Sequence, residues 1–188
     1  ENTQLGAELI GDSTVDADAE ILAMAADCLH RAGLREFQLS VGHAEFFRGL
    51  SEAAGLDAEQ EEELRELISN KNYFGVSEFA ETLNLKEDLN NLFQMLGNLY
   101  IGSDELQKAK EYAAAYPRIQ NAISRLEELH QVLKLYEIEK YVSFELGIVS
   151  NYQYYTGIIF AGYTFGSGEP VIKGGRYDEL LTYFGKNS

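Results

Sequence analysis

The 188-residue chain is 45% hydrophobic and 12% aromatic, which is enough apolar material for one large or two small domains. Its 31 acidic and 15 basic residues give a net charge of −16, and this excess disfavours a nucleic-acid partner because Lys and Arg supply most of the affinity for phosphates. No apolar run is long enough to span a membrane, and a single cysteine is compatible with the reducing cytoplasm.

The start of the chain predicts a strand, a helix and a second strand. Residues 4–10 can be split by the two-residue period of a strand. Ser13 or Thr14 can cap a helix whose apolar residues recur at helical spacing, and Gly33 ends it. Residues 37–41 alternate apolar and polar side chains, which predicts the second strand.

The middle of the chain predicts short helices. Asp57 and Gln60 form a capping box, and Pro117 stands at a helix start. One apolar stripe follows that proline: Ile119, Ala122, Ile123, Leu126, Leu129, Leu133 and Tyr136. We interpret this block as an all-helical insertion with a small core of its own.

Strand patterns return near the end of the chain. Residues 142–148 alternate, residues 152–161 form an apolar and aromatic run, and Gly166-Ser167-Gly168 signals a hairpin before a strand at 170–173. A short helical pattern with Leu180 and Leu181 follows.

The predicted fold class is α+β, with an antiparallel sheet and flanking helices. Strands from both ends of the chain share this sheet, so residues 1–42 and 140–188 form a core and residues 43–139 form the helical insertion.

Three segments carry residues suited to binding a small polar ligand: residues 4–11, 154–160 and 174–178. A carboxylate such as Glu8 can accept charge-assisted hydrogen bonds, and tyrosine rings can cover an imidazole face while their hydroxyls donate or accept. Glycines permit close backbone approach. The alternative interpretation is structural, with the tyrosines as ordinary strand aromatics, the glycines as turn residues and Glu8 facing solvent.

These three segments, in this order and with a helical insertion between the first two, resemble the catalytic domain of histidyl-tRNA synthetase. Residues 41–48, which lead into the insertion, and residues 155–163 resemble in particular the regulatory subunits of ATP phosphoribosyltransferase. Those proteins are relatives of histidyl-tRNA synthetase with the class II synthetase fold. The first segment resembles the end of motif 2, and the other two resemble the histidine-specific motifs. The resemblance implies that motif 1, the front of motif 2 and motif 3 lie outside this chain. It also implies a histidine pocket lined by Gln4, Glu8, Tyr155 and Tyr177, with Gly157, Gly174 and Gly175 contributing backbone.

One departure from the synthetase pattern argues against catalysis. Synthetases carry Arg-Gly-Leu-Asp before the paired tyrosines, whereas residues 150–153 here read Ser-Asn-Tyr-Gln. The serine hydroxyl of Ser150 cannot replace a permanent cation at a phosphoryl centre. We therefore expect no catalytic residues, and the chain's histidines and cysteine do not show the spacing of a metal site. His43 is interpreted as a cap or packing residue.

The resemblance implies a non-catalytic, cytoplasmic role in the first step of histidine biosynthesis. The implied partner is a short-form catalytic subunit, the implied ligand is histidine acting allosterically, and self-association is expected. No nucleic acid, membrane or cofactor is implied. Two alternatives stay open: a fragment of a true histidyl-tRNA synthetase, and a module whose acidic helical insertion docks a protein partner.

Overall fold

The computed structural model describes residues 3–149, 154–180, 182 and 185. Within these ranges the chain forms helices and a four-stranded sheet. In chain order the elements are α1 (Val15–Arg31), β1 (Phe37–His43), α2 (Ala44–Ala54), α3 (Ala58–Ser69), α4 (Tyr73–Thr82), α5 (Glu87–Met95), α6 (Ser103–Tyr112), α7 (Pro117–Leu135), a 3-10 turn (Glu139–Tyr141), β2 (Val142–Phe144), β3 (Ile158–Thr164) and β4 (Ile172–Gly175).

Local sequence signals place the helix ends where they were predicted. Thr14 is the N-cap of α1, and its hydroxyl accepts a hydrogen bond from the Ala17 amide. Asp57 and Gln60 form the capping box of α3, and Pro117 occupies the first turn of α7. The apolar stripe of α7 is buried from Ile119 to Leu133.

The sheet is mixed, so the prediction of an antiparallel sheet is only partly right. The strand order is β2-β1-β3-β4, with β1 antiparallel to β3 and β3 antiparallel to β4. β1 and β2 run parallel. Parallel neighbours need a long crossover connection, and the helical block between β1 and β2 supplies it.

The predicted strand at residues 4–10 is wrong. These residues form no regular element, and Leu5 and Ile10 are 84% and 78% exposed. A strand needs a paired neighbour for its backbone groups and a buried face for its apolar side chains. Among the described residues, this segment has neither. Around Leu180, residues 178–179 form a turn, and Leu180 and Thr182 have 3-10 helical conformation, while Leu181 lies outside the described residues.

A single continuous core joins the sheet to the helices, so the helical block does not have a separate small core. Leu22 of α1, Leu39 of β1, Phe46 of α2, Leu126 of α7 and Phe144 of β2 belong to it, and each is at most 1% exposed. α7 packs against α1, α2 and α6 and contacts β1. The division into core and insertion at residues 43 and 139 stays a prediction.

Candidate functional site

Three tyrosines cluster where β3 begins and β4 ends. The antiparallel register sets Ile159 opposite Gly175, so the residues before β3 and after β4 lie at the same end of the sheet. The rings of Tyr154 and Tyr155 are 4.6 Å apart, and the rings of Tyr154 and Tyr177 are 5.9 Å apart and nearly perpendicular. The sequence-predicted Tyr155 and Tyr177 are therefore brought into one aromatic cluster, which Tyr154 connects.

Glu8 joins this cluster from the irregular N-terminal segment. Burial, a hydrogen bond to the Glu8 carboxylate and the negative charge of Glu8 raise the pKa of Tyr177 to about 12. The phenol therefore stays protonated at neutral pH and acts as a hydrogen-bond donor. The structure thus pairs two of the predicted pocket residues, although the segment that carries Glu8 is not a strand.

The three predicted glycines make room for this chain's own side chains. A Cβ atom at Gly175 would lie 2.6 Å from the Tyr155 ring, and one at Gly157 would lie 2.7 Å from Arg176. A Cβ atom at Gly174 would lie 2.7 Å from the Phe160 ring. Each glycine therefore permits a close approach. Gly175 seats the Tyr155 ring against the end of β4.

Two further predicted residues, Gln4 and Ser150, are not part of the cluster that the structure describes. Gln4 is exposed, and no hydrogen bond or ion pair between described residues involves its side chain. Ser150, the residue on which the non-catalytic prediction depends, lies outside the described residues together with 151–153.

A buried carboxylate anchors the cluster to α1 and α7. Asp18 is 4% exposed and lies between two arginines. The Nε atom of Arg176 donates to Asp18 Oδ1 at 2.8 Å, and the Nε atom of Arg125 donates to Asp18 Oδ2 at 2.9 Å. Arg176 also donates to the carbonyls of Asp12 and Thr14, at 2.9 and 3.0 Å. The residue before Tyr177 thus holds the N-terminal segment in place.

Thr156 and Asp178 extend the pairing of β3 and β4 into the cluster. The Thr156 hydroxyl donates to Asp178 Oδ2 at 3.0 Å and accepts from the Asp178 amide at 2.9 Å. The Thr156 amide donates to the Arg176 carbonyl at 2.8 Å. These bonds connect the residue after Tyr155 to the residues on both sides of Tyr177.

His43 caps α2, as the sequence predicted. Its Nδ1 atom accepts a hydrogen bond from the Glu45 amide at 3.1 Å, and its side chain is buried. Burial lowers the pKa of His43 to about 4, while the negative charge of Glu45 opposes this shift and nearby arginines add to it. The neutral imidazole is the form that can accept the cap hydrogen bond.

Asp18, Arg125 and Arg176 are site residues that the sequence did not predict. A signal for Asp18 was present, since it falls on the same helical stripe as Val15, Leu22 and Leu29 and places a charge on an apolar face. Such a charge requires a partner when buried. The identity of that partner depends on the tertiary fold.

The arrangement has the chemistry of a binding site. The Glu8 carboxylate can accept N–H groups of a cationic or imidazole-bearing ligand. The three tyrosine rings, one of which carries the protonated phenol, can cover the faces of that ligand. No group of three or more His, Cys, Asp or Glu side chains in the described ranges is arranged to hold a metal ion. Among the described helices, none is both long and apolar enough to cross a membrane.

Comparison of this chain with known proteins identifies a family. The model of the family described as histidyl-tRNA synthetase matches residues 1–188. Over 188 residues the chain is 40% identical to the ATP phosphoribosyltransferase regulatory subunit of Acetivibrio thermocellus, covering all of this chain and 45% of that protein. The chain spans about half the length of the curated relatives it matches.

Solved structures share the fold. An ATP phosphoribosyltransferase regulatory subunit/histidyl-tRNA synthetase from Bacillus halodurans superposes with a TM-score of 0.83 at 34% identity, over 95% of this chain and 47% of the other. A histidine–tRNA ligase subunit from Alicyclobacillus acidocaldarius gives a TM-score of 0.78 at 26% identity, over 94% of this chain and 56% of the other. These likenesses confirm the predicted α+β, synthetase-like fold class.

Proposed function

This chain belongs to the histidyl-tRNA synthetase family, and on that premise we propose that it forms part of a regulatory subunit of ATP phosphoribosyltransferase, in which it senses histidine. The observation that carries the proposal is the 40% identity to a curated regulatory subunit along the whole chain. The role is control of the first step of histidine biosynthesis in the cytoplasm.

The proposed sensor is the tyrosine cluster with Glu8. The carboxylate accepts from the ligand's ammonium or ring N–H, while Tyr155 and Tyr177 cover the imidazole. The raised pKa of Tyr177 supports this role, because a neutral phenol beside a carboxylate keeps one negative charge at the site. Gln4 is proposed as a fourth contact that the exposed N-terminal segment brings in when ligand binds.

Sensing requires that histidine discriminate between two states of an assembly. A ligand that binds both states equally shifts neither, so histidine must bind more tightly to the less active one. The proposed partner is the short-form catalytic subunit, and self-association of the regulatory subunit is part of the proposal. Arg176 offers a route for coupling, because it ties the residue next to Tyr177 to α1 and to the backbone of the N-terminal segment.

The subunit is proposed to be non-catalytic. Ser150 stands where synthetases carry the arginine that stabilises charge during attack on ATP, and a hydroxyl lacks that permanent charge. The alternative is a histidyl-tRNA synthetase fragment, which the likeness to the Alicyclobacillus ligase subunit favours. The net charge of −16 weighs against it, since a tRNA ligand requires cationic contacts.

The test is calorimetric titration of L-histidine into the full gene product that contains these residues. The titration is made with that protein alone and in a mixture with the short-form catalytic subunit, while histidine- and ATP-dependent pyrophosphate exchange is assayed in parallel. Tyr155→Phe and Glu8→Ala serve as site variants, and Tyr136→Phe, an exposed tyrosine at the end of α7, is the matched control.

Histidine binding without pyrophosphate exchange, together with a histidine-dependent change in phosphoribosyltransferase activity of the mixture, supports the proposal. Pyrophosphate exchange would identify a synthetase instead. If both site variants bind histidine as the parent protein does, and histidine inhibits their mixtures with the catalytic subunit equally, the pocket assignment is wrong even where the regulatory role holds.

A further inference from the structure

A cavity lies on the same face of the sheet as the Tyr155 ring, toward the opposite end of β1 and β3. The register pairs Gln38 with Tyr163 and Ser40 with Ala161, so these side chains share a face. The cavity has a volume of about 380 Å³, and the end of α3, the start of α4 and residues 99–100 close its other side.

Residues 145–149 form one wall of this cavity. Ile148 packs on the sheet where Gly42 leaves space, and a Cβ atom at Gly42 would collide with the Ile148 side chain. Gly147 in turn lies against the Leu96 backbone at the end of α5. The segment is therefore fixed between the sheet and the helices. None of Glu8, Tyr155 and Tyr177 lines the cavity.

Opposite charges line the cavity without forming an ion pair with each other. Glu145 is half-buried, and burial raises the pKa of its carboxyl while the positive charge of Lys71 lowers it. Lys71 extends its ammonium to 5.9 Å from the centre of the Tyr163 ring. Each charge is close enough to influence the other but lacks a direct counter-ion among the described residues.

Several polar side chains in the cavity have unused hydrogen-bonding capacity. Ser40 is 8% exposed, and neither its hydroxyl nor the Tyr73 and Tyr163 hydroxyls form a hydrogen bond within the part of the chain that the structure describes. The Glu145 carboxylate accepts none there either. Polar groups that converge on a concave surface with free hydrogen-bonding capacity can bind and orient a polar ligand.

The backbone of the cavity wall is strained. Lys71 and Tyr100 both line it, and both adopt left-handed conformations, with φ of 54° and 57°. Such conformations are unfavourable for residues with side chains and are concentrated at functional sites.

We propose that this cavity binds a small zwitterion with an apolar or aromatic side group, a free α-amino acid being the representative chemistry. Its ammonium meets Glu145, its carboxylate meets Lys71, and its side group lies against the rings of Tyr73 and Tyr163. Both charges must reside on one small molecule, because a polypeptide terminus carries only one of them. This site is separate from the histidine pocket proposed above and does not depend on it.

The test is binding of the common L-amino acids to the full gene product, first by thermal shift at millimolar concentration and then by calorimetry for any that stabilise it. N-acetyl and amide derivatives of the binding amino acid remove one charge at a time. Glu145→Gln and Lys71→Asn remove the protein's charges, and Asn tolerates the left-handed backbone at position 71. Glu128→Gln, on the exposed face of α7, is the matched control.

We expect at least one zwitterion to bind, with affinity falling about tenfold or more in each cavity variant and in each derivative but remaining unchanged in Glu128→Gln. Circular dichroism checks folding, and Tyr163→Phe supplies a milder variant if a charge change unfolds the chain. The proposal is overturned if no amino acid binds, or if every amino acid that binds does so unchanged in Glu145→Gln, Lys71→Asn and Tyr163→Phe. If every amino acid that binds is lost in Tyr155→Phe and retained in Glu145→Gln, the proposal is also overturned, because all of the ligands then occupy the tyrosine cluster.

Discussion

Asp18 and Arg176 are separated by 158 positions in the chain, yet the Nη2 atom of Arg176 lies 2.7 Å from Asp18 Oδ1. Both side chains are largely withdrawn from solvent, at 3% and 13% exposed. The contact connects α1 to the residue between Gly175 and Tyr177. The geometry of the tyrosine cluster therefore depends on a buried charge in a helix that contributes no aromatic residue to it.

Asp18→Asn should lower the free energy of unfolding by about 3 kcal/mol, since it removes the buried carboxylate that pairs with Arg125 and Arg176 and leaves Arg176 with the half-exposed Asp178 alone. Urea denaturation measures the change. Asp16→Asn is the matched control, because Asp16 is exposed in the same first turn and contributes only about 0.5 kcal/mol through the helix dipole. Equal losses in the two variants would show that the Asp18 pairs do not stabilise the fold.

Gly175→Ala should displace the Tyr155 ring. The added Cβ atom would lie 2.6 Å from that ring and 2.8 Å from the Ile158 carbonyl oxygen, and the backbone oxygen cannot move without disturbing β3. We expect a loss of about 1–3 kcal/mol in stability, as for other overpacked sites, and a change in tyrosine near-ultraviolet circular dichroism. Gly168→Ala, where a Cβ atom meets nothing within 4 Å, should change neither. A spectrum unaltered in Gly175→Ala would contradict the proposed seating of Tyr155.

Much of the helical structure was predictable because its signals are local. Thr14, Asp57, Gln60 and Pro117 define helix starts through contacts within one turn of the chain. The failure at residues 4–10 has the opposite cause. A strand depends on a neighbour elsewhere in the chain, and alternation alone does not supply one.

The candidate site also contains residues that the sequence predicted and contacts that it did not. Tyr155, Tyr177 and Glu8 were predicted from motifs, and the structure brings them together. The link from Asp18 to Arg176 and Arg125, by contrast, is a tertiary contact without a sequence motif. The role of Gly175 was predicted as close approach to a ligand. The group that lies against Gly175 is the Tyr155 ring of this chain, and only the packing in the structure reveals this contact.

His43 should make the stability of the chain depend on pH. Its pKa is lowered from the ordinary 6.5 to about 4 in the folded state, so between these values the unfolded chain binds more protons. The free energy of unfolding therefore falls as the pH drops from 6.5 to about 4, by about 3 kcal/mol at most from this group. Protonation of Nδ1 also removes the acceptor for the Glu45 amide.

His43→Asn tests this assignment, because asparagine keeps an N-cap acceptor but does not titrate. Chemical denaturation at several pH values between 4 and 7 should give a smaller loss of stability on acidification in the variant than in the parent protein. The comparison cancels the contributions of the carboxylates, which are common to both. Parallel curves for the two proteins would show that His43 is not the group responsible.

Tyr177→Phe should remove the hydroxyl from the proposed histidine site and keep the aromatic ring. The hydroxyl is a neutral donor to Glu8, with its pKa raised to about 12, so its removal leaves the carboxylate without that hydrogen bond. We expect a loss of histidine affinity of about tenfold, the usual magnitude for one hydrogen bond. In a spectrophotometric titration, the ionisation near pH 12 should also disappear. Tyr136→Phe, on an exposed tyrosine, should leave both the affinity and that ionisation unchanged. If histidine binding is weakened equally by both substitutions, the effect is not specific to Tyr177, and the hydrogen bond to Glu8 does not contribute to recognition.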